Sequence, residues 1–438
     1  MLERLFKLSQ NGTNVRTEIL AGFTTFITLA YIIVVNPLIL ADAGIPHEAA
    51  IAATIYAAAL ATLLMGLWAN YPIAVAPGMG LNAFFTYTVV LGAGLSWQTA
   101  LGAVFISGVF FLIITVTGLR QLIVRSVPNA LRSSIGVGIG VFIAFIGLKN
   151  AGIVVASEAT LVTLGNLQDP KVLIALISVA VAGILMARGT KGALLISVGL
   201  ASILGMIFVP DAPVPKGISD VFSTNLPDIT PTLGALDIAG ALKYGIFSII
   251  FSFTIVELFD NIGTLIGVTR KAGIMDEKGN IPNLDKALTT DAIGTMGSAV
   301  LGTCTVTSYI ESGAGVAEGG RTGLTAVTVA FFFLVALFFT PLVTIIQGFA
   351  TAPALIIVGA LMMSEIAHVK FDDFTEALPA FLTIIMMPLT FSIAQGIAFG
   401  FMSYVIVKVL SGRHHDVSWV MWFIALAFIA NFALGGAH

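Results

Sequence analysis

Apolar stretches of about 20 residues, separated by short runs of Gly, Pro or charged residues, recur along nearly the whole chain, and about 20 such residues carry a helix across the hydrocarbon of a bilayer. In that solvent every backbone N–H and C=O must find a partner, so spanning segments are helical unless protein or a cavity satisfies them. Breaking the windows at charge, Gly and Pro gives fourteen segments, near 19–40, 47–69, 72–92, 97–118, 128–149, 171–187, 191–209, 239–267, 286–302, 304–318, 321–346, 352–366, 374–392 and 393–411. The expected fold class is an all-α polytopic membrane protein. With 58% hydrophobic and 10% charged residues among 438, and the longest polar stretches near 210–236 and 268–286, no sizeable soluble domain fits. The net charge of -3 averages over two membrane sides and identifies no partner, and no basic patch points to nucleic acid. One cysteine, Cys304, excludes an intrachain disulfide and reads as a small buried side chain.

Placing the N-terminus inside puts sixteen of the 20 Lys and Arg on the cytoplasmic side, leaving Lys149, Lys171, Lys216 and Lys243 outside. That asymmetry is what the positive-inside rule requires, and it points to a cytoplasmic (inner) membrane protein with a cytoplasmic N-terminus. The acidic loop holding Asp211, Asp220 and Asp228 then lies outside. The opening MLERLFKLSQNGT reads as a short interfacial segment and lacks the pattern of a signal peptide. The apolar stretch 418–435 could cross, lie in the interface or pack on the bundle.

The polar stretch 210–236 divides the segments into two sets of seven. Residues 96–112 align with 320–336, and Met65-Gly66 aligns with Met296-Gly297. An odd number of segments per copy forces the copies into opposite orientations. Each copy contains one broken element. PIAVAPGMGLNAFFTY begins with Pro72 and Pro77, which forbid a continuous helix, and TCTVTSYIESGAGVAE is β-branched at first and too short to span. The Met-Gly alignment sets Gly80 opposite Glu311. Two half-helices that start near the midplane would bring their N-terminal N–H groups together around one site.

Asp260 and Glu311 lie in otherwise apolar segments, and an ionisable group at membrane depth is costly unless it faces protein or water. Glu257 and Thr264 share a helical face with Asp260. Asn82 follows the first half-helix start, and Ser308, Tyr309 and Ser312 flank Glu311. The alternative is that the hydroxyl and amide groups only cap and join helices. Glu257 has three readings: proton handling, partnering a backbone group, or a position in the cytoplasmic leaflet. Two acids in a partly dry pocket make a proton carrier. When ionised they accept paired N–H donors from a flat heterocycle, to which Asn82 can both donate and accept. Phe26, Phe84, Phe259 and Tyr309 could offer an aromatic face, although among 31 Phe a core position serves as well. An anion suits this cluster poorly. A channel or anion exchanger on the same inverted-repeat scaffold is the competing functional class. Gly136, Gly138 and Gly140 lie in an apolar span and read as helix packing. The five histidines fall in loops or at the terminus, so neither a metal site nor a Ser–His–acid hydrolase is expected.

APGMGLNAFF at 76–85, LFDNIGTL at 258–265 and SYIESGAGVAEGGRTGLTA at 308–326 resemble the signatures of the AzgA-like purine permeases of the nucleobase–cation symporter 2 group. The resemblance implies proton-coupled import of adenine, guanine or hypoxanthine, no enzymatic activity, and no cofactor beyond the coupling proton. It implies that Asn82, Asp260 and Glu311 bind substrate, with Thr264 where uracil carriers have a histidine. It further implies a uracil-carrier-like 7+7 fold of fourteen spans with two short strands before half-helices 3 and 10, and a homodimer. The core domain would comprise 1–118 and 237–346, and the gate domain 119–236 and 347–438. The opening and LFDNIGTLIGVT resemble the adenine-type members more than the guanine/hypoxanthine type.

Overall fold

The computed structural model describes residues 2–210, 212–243, 247–275 and 281–433. Asp211 and the end of the apolar tail, both discussed above, lie outside these residues, as does Lys278, one of the sixteen residues assigned to the cytoplasmic side. A short helix α1 (Leu2–Phe6) precedes the first span, which is α2 (Val15–Leu29) followed by α3 (Ile32–Asp42). The chain continues with α4 (His47–Leu64), extended by a π-helical turn over Met65–Ala69, then strand β1 (Val75–Pro77) and α5 (Met79–Ala83), which continues as a π-helix over Phe84–Gly92. Next come α6 (Trp97–Val116), α7 (Leu119–Ser126), α8 (Asn129–Asn150), the hairpin β2 (Val154–Ser157) and β3 (Leu161–Leu164), α9 (Pro170–Ala187) and α10 (Ala193–Phe208). The second half holds α11 (Ile238–Lys243), α12 (Phe247–Lys271), α13 (Leu284–Leu301), β4 (Val306–Ser308), α14 (Ser312–Ala317), α15 (Gly323–Ala336), α16 (Thr340–Thr344), α17 (Gly348–Met362), α18 (Phe374–Thr390), α19 (Ile393–Leu410) and α20 (Trp419–Ala433). Every expected span has a counterpart. The β2–β3 hairpin has no precedent in the apolar pattern, because its side chains are mostly exposed. Among the described residues nine helices are long and apolar enough to cross a membrane. The elements around β1 and β4 are shorter because strand and half-helix share one crossing.

The packing carries the repeat. Helix α15 lies on α2 and α4, while its counterpart α6 lies on α12 and α13; α8 packs on α17, and α9 on α10 as α18 does on α19. The strands follow the same symmetry. They pair antiparallel, Val75 with Ser308, Ala76 with Thr307 and Pro77 with Val306, and the Met-Gly alignment makes Ala76 and Thr307 equivalent. The pseudo-two-fold axis therefore passes through the Ala76–Thr307 pair. Two flanking bonds exchange across it: Tyr309 N donates to Ala74 O at 2.9 Å and Gly78 N to Thr305 O at 3.0 Å.

A two-stranded ribbon at membrane depth leaves both outer edges unpaired, and each unpaired group costs several kcal/mol. Side chains satisfy part of them. Thr62 Oγ1 accepts from Val75 N at 2.9 Å and donates to Val75 O at 2.8 Å; Ser312 Oγ accepts from Ala74 N at 3.0 Å; Asn261 Oδ1 accepts from Ser308 N at 2.7 Å. Ser312 thus holds β1 as well as starting α14.

Helix α15 is fastened to the first span by Glu18, a fully buried carboxylate. It accepts from Arg321 N at 2.9 Å, Thr322 N at 3.3 Å, Thr325 N at 3.1 Å and Thr325 Oγ1 at 2.6 Å, and so serves the donors that a helix start leaves unpaired. Glu18→Ala strands these donors, and we expect it to destabilise the fold by roughly 3–5 kcal/mol, read as a lowered unfolding temperature in detergent. An unchanged temperature would show that water replaces the carboxylate.

The first and last described segments are tied down by packing. Phe6 and Leu8 bury against Leu324, which anchors the N-terminal segment. Helix α20 buries Val420, Met421, Ile424, Ala425 and Phe428 and packs on α19 and α7. The described part of the stretch 418–435 thus packs on the bundle. Before the tail, the buried Lys408 ammonium lies 3.8 Å from Asp373, 3.5 Å from Glu376 and 3.8 Å from Asp416. Asp373 also accepts from Arg413 at 2.7 Å, and its carboxyl is held below the usual range by the Thr375 hydroxyl first and Arg413 second.

Candidate functional site

Three polar groups stand on the elements around the strand crossing: Glu311 at the start of α14, Asp260 on α12 and Asn82 on α5. The first is Glu311, at the N-cap position of α14, where the chain turns from β4 into the half-helix. Its Oε1 accepts from Tyr31 Oη at 2.8 Å. Tyr31 reaches that position because the first span breaks between Leu29 and Ile32; Pro37 inside α3 cannot donate to the Ile33 carbonyl, and the β-branched run before it disfavours a smooth helix. The second is Asp260 on α12, which lies near Thr307 on the pseudo-two-fold axis and near Glu311. The third is Asn82 on α5, which donates from Nδ2 to Asn36 Oδ1 at 3.0 Å. Its Oδ1 is buried and lacks a hydrogen-bond partner.

Asp260 and Glu311 retain partial exposure, whereas Glu257 and Asp291 are fully buried behind them. Thr295 donates to Glu257 Oε1 at 2.7 Å, and Glu257 Oε2 has no partner. Glu257 shares a helical face with Asp260, but its carboxylate is taken up by Thr295 of α13. Asp291 accepts from Ser308 Oγ at 3.2 Å. No ion pair with Lys or Arg involves any of these four acids among the described residues.

The remaining expected residues are mostly engaged with the scaffold. Thr264 is buried on α12 one turn beyond Asp260. Tyr309 is buried and donates from its hydroxyl to Pro77 O at 2.5 Å, tying the second half-helix start to β1. Ser308 engages Asp291 and Asn261, and Ser312 engages Ala74. The Phe26 ring stacks on Phe332 at 5.5 Å and meets Phe333 edge-on at 5.5 Å, so its observed partners lie on α15. Phe84 packs edge-on against Phe253 at 4.7 Å.

Sequence reasoning passed over Tyr31, Asn36, Asn261, Asp291 and Thr307. Asp291 was within reach. It stands in the segment 286–302, and the rule that singles out an acid at membrane depth applies to it as it does to Asp260. Asn36 carried the same signal in the first segment: its Nδ2 donates to Thr54 at 2.7 Å and Thr303 at 3.0 Å, linking both repeats. Tyr31 and Thr307 carried none, since hydroxyl-bearing residues are common in spans.

Two glycines of the half-helices set how closely the parts approach. A Cβ at Gly80 would stand 2.5 Å from Ile139 Cγ2 on α8, and one at Gly315 would stand 2.1 Å from Thr25 Oγ1 and 2.4 Å from Ala21 O on α2.

The Permease family model matches residues 16–399. The adenine permease AdeQ of Escherichia coli is 47% identical over 99% of this chain and 96% of its own length. The guanine/hypoxanthine permease PbuO of Bacillus subtilis is 45% identical over 98% of this chain and 100% of its own. Among solved structures, the transmembrane domain of a cyanobacterium bicarbonate transporter, BicA, superposes with a TM-score of 0.67 over 87% of this chain and 97% of that one, at 16% identity. At that identity the likeness is one of fold, the 7+7 inverted repeat.

Proposed function

Since the chain belongs to the Permease family, within the nucleobase–cation symporter 2 group, we propose that it takes up purine nucleobases across the cytoplasmic membrane together with protons. The observation that carries this reading is the pair of partly exposed carboxylates, Asp260 and Glu311, set without a countercharge at the crossing of two broken elements. An ionised carboxylate accepts charge-assisted hydrogen bonds from the ring N–H and amino groups of a neutral base. The unpaired Asn82 Oδ1 adds an acceptor. Loading one proton onto the pair relieves the repulsion between them, so the base and the proton favour each other's binding.

Glu311 and Asp260 are the coupling groups in this reading, and Glu257, with one oxygen unpartnered, is a proton reservoir behind them. Tyr309, Ser308 and Ser312 hold the backbone that positions the site, Thr264 borders it, and Phe26 shapes its apolar wall. The core domain, 1–118 and 237–346, moves against the gate domain, 119–236 and 347–438, to open the site alternately to either side. The N-terminus is cytoplasmic, and the assembly is a homodimer. An anion exchanger on the same scaffold is disfavoured, because four acids oppose an anion where the half-helix starts would attract one.

The test is accumulation of radiolabelled adenine, guanine and hypoxanthine in energised vesicles, with and without a proton uncoupler. We expect concentrative uptake of at least one purine, abolished by the uncoupler and by competing unlabelled base. Uptake that only equilibrates, unaffected by the uncoupler, would overturn proton coupling.

A further inference from the structure

At the end of the bundle where α3 and the π-helix after α5 finish, four elements converge on one cation. Lys149, in the last turn of α8, places Nζ 5.6 Å from the centre of the Tyr87 ring and 5.3 Å from the centre of the Phe391 ring. Both distances lie within the range at which a cation is drawn to an aromatic face. Tyr87 belongs to the half-helix segment and donates from its hydroxyl to Asp42 Oδ2 at 2.7 Å, at the end of α3. Phe391 sits in the break between α18 and α19 with φ 53°, a left-handed conformation that a bulky side chain adopts only when its surroundings hold it there. Three contacts hold it: the Phe391 ring meets Tyr87, Phe142 and Phe145 edge-on at 5.4–5.8 Å. The Phe391 carbonyl also accepts from Thr88 Oγ1 at 2.9 Å, a second tie to the half-helix.

The partners come from opposite parts of the proposed carrier. Asp42, Tyr87 and Thr88 lie in the first four segments; Lys149, Phe142, Phe145 and Phe391 lie in the fifth segment and at the junction of the last two. We infer that Lys149, clasped between Tyr87 and Phe391, is the latch that closes this end of the carrier, and that it must release for the site to open there. This rests on the alternating motion proposed above, but the latch is a property of one closed state and can be read without transport. Its chemistry suits a reversible closure. The cation stays partly solvated, its ring contacts are individually weak, and releasing it leaves no buried unpaired charge.

The experiment places a thiol at Ala83, a small buried residue one turn deeper than Tyr87 on the half-helix. Cys304, the only native thiol, is fully buried and gives the background. A membrane-impermeant maleimide is applied from the Lys149 side to Ala83→Cys in right-side-out and inside-out vesicles. With Lys149 present we expect slow labelling; Lys149→Gln should raise the rate about tenfold, Phe391→Leu should do the same, and Lys149→Arg should restore protection, since a guanidinium also stacks on rings. Labelling of Lys149→Gln and Phe391→Leu at the rate of the Ala83→Cys parent would overturn the latch. Fast labelling in Lys149→Arg as well would assign the effect to disturbed packing and overturn it too. If protection follows this pattern but no purine accumulates in any variant or in the parent, the latch stands and the transport reading fails.

Discussion

Asp260→Ala and Glu311→Ala should each abolish concentrative uptake of adenine, guanine and hypoxanthine while leaving insertion intact. Each carboxylate gives a neutral base charge-assisted hydrogen bonds in a partly dry site, and losing one of about 2–3 kcal/mol lowers affinity by roughly 30–150-fold before any effect on coupling. The amide variants separate the two duties. Asp260→Asn and Glu311→Gln keep the shape and part of the hydrogen bonding but cannot carry a proton, so binding to detergent-solubilised protein should persist in weakened form at the residue that serves coupling alone. Tyr31→Phe, which removes the 2.8 Å bond to Glu311, should produce a milder loss, about tenfold or less. Parent-like accumulation by either alanine variant, with membrane insertion verified by surface labelling, would refute the site.

Gly315→Val should nearly abolish uptake by displacing the half-helix rather than by touching substrate. A β-carbon there would stand 2.4 Å from the Ala21 carbonyl, a backbone atom of α2 that cannot swing aside. Overpacking of this kind costs about 1–3 kcal/mol, and of the two helices in contact α14, with six residues against fifteen in α2, is the one expected to yield. Its shift carries Glu311 away from Tyr31. Gly297→Val is the comparison. It lies on α13 with nothing within 4 Å of its β-carbon, so uptake should change by less than about twofold. Equal uptake in the two variants would mean that α14 is not clamped against α2.

Much of the architecture was legible because a bilayer leaves few choices. Segment number, the two broken elements and the alignment of Gly80 with Glu311 all follow from apolar length and from Pro, Gly and β-branched residues at 72–80 and 303–311. The strands confirm that alignment, since β1 and β4 begin 231 residues apart, the same separation as Met65 and Met296. Asp260, Glu311 and Asn82 were legible for the same reason: a polar group in an apolar span demands a partner. What the pattern did not carry was the partner's identity. That Ser312 serves the Ala74 amide, or that Glu257 turns to Thr295, depends on which helices lie side by side, and side-by-side contacts leave no periodicity in one chain.

Hydrophobic length, charge asymmetry and the weak internal repeat therefore determine by themselves that this chain crosses the membrane many times, in two inverted halves, with acids at the centre. The tertiary structure alone decides which acids keep exposure and which are sealed behind them, how Tyr31 comes to meet a residue 280 positions away, and how Lys149 joins the two parts at one end. The cause is that lipid constrains each segment separately and locally, whereas hydrogen bonds and ring contacts between segments form only after the halves have docked.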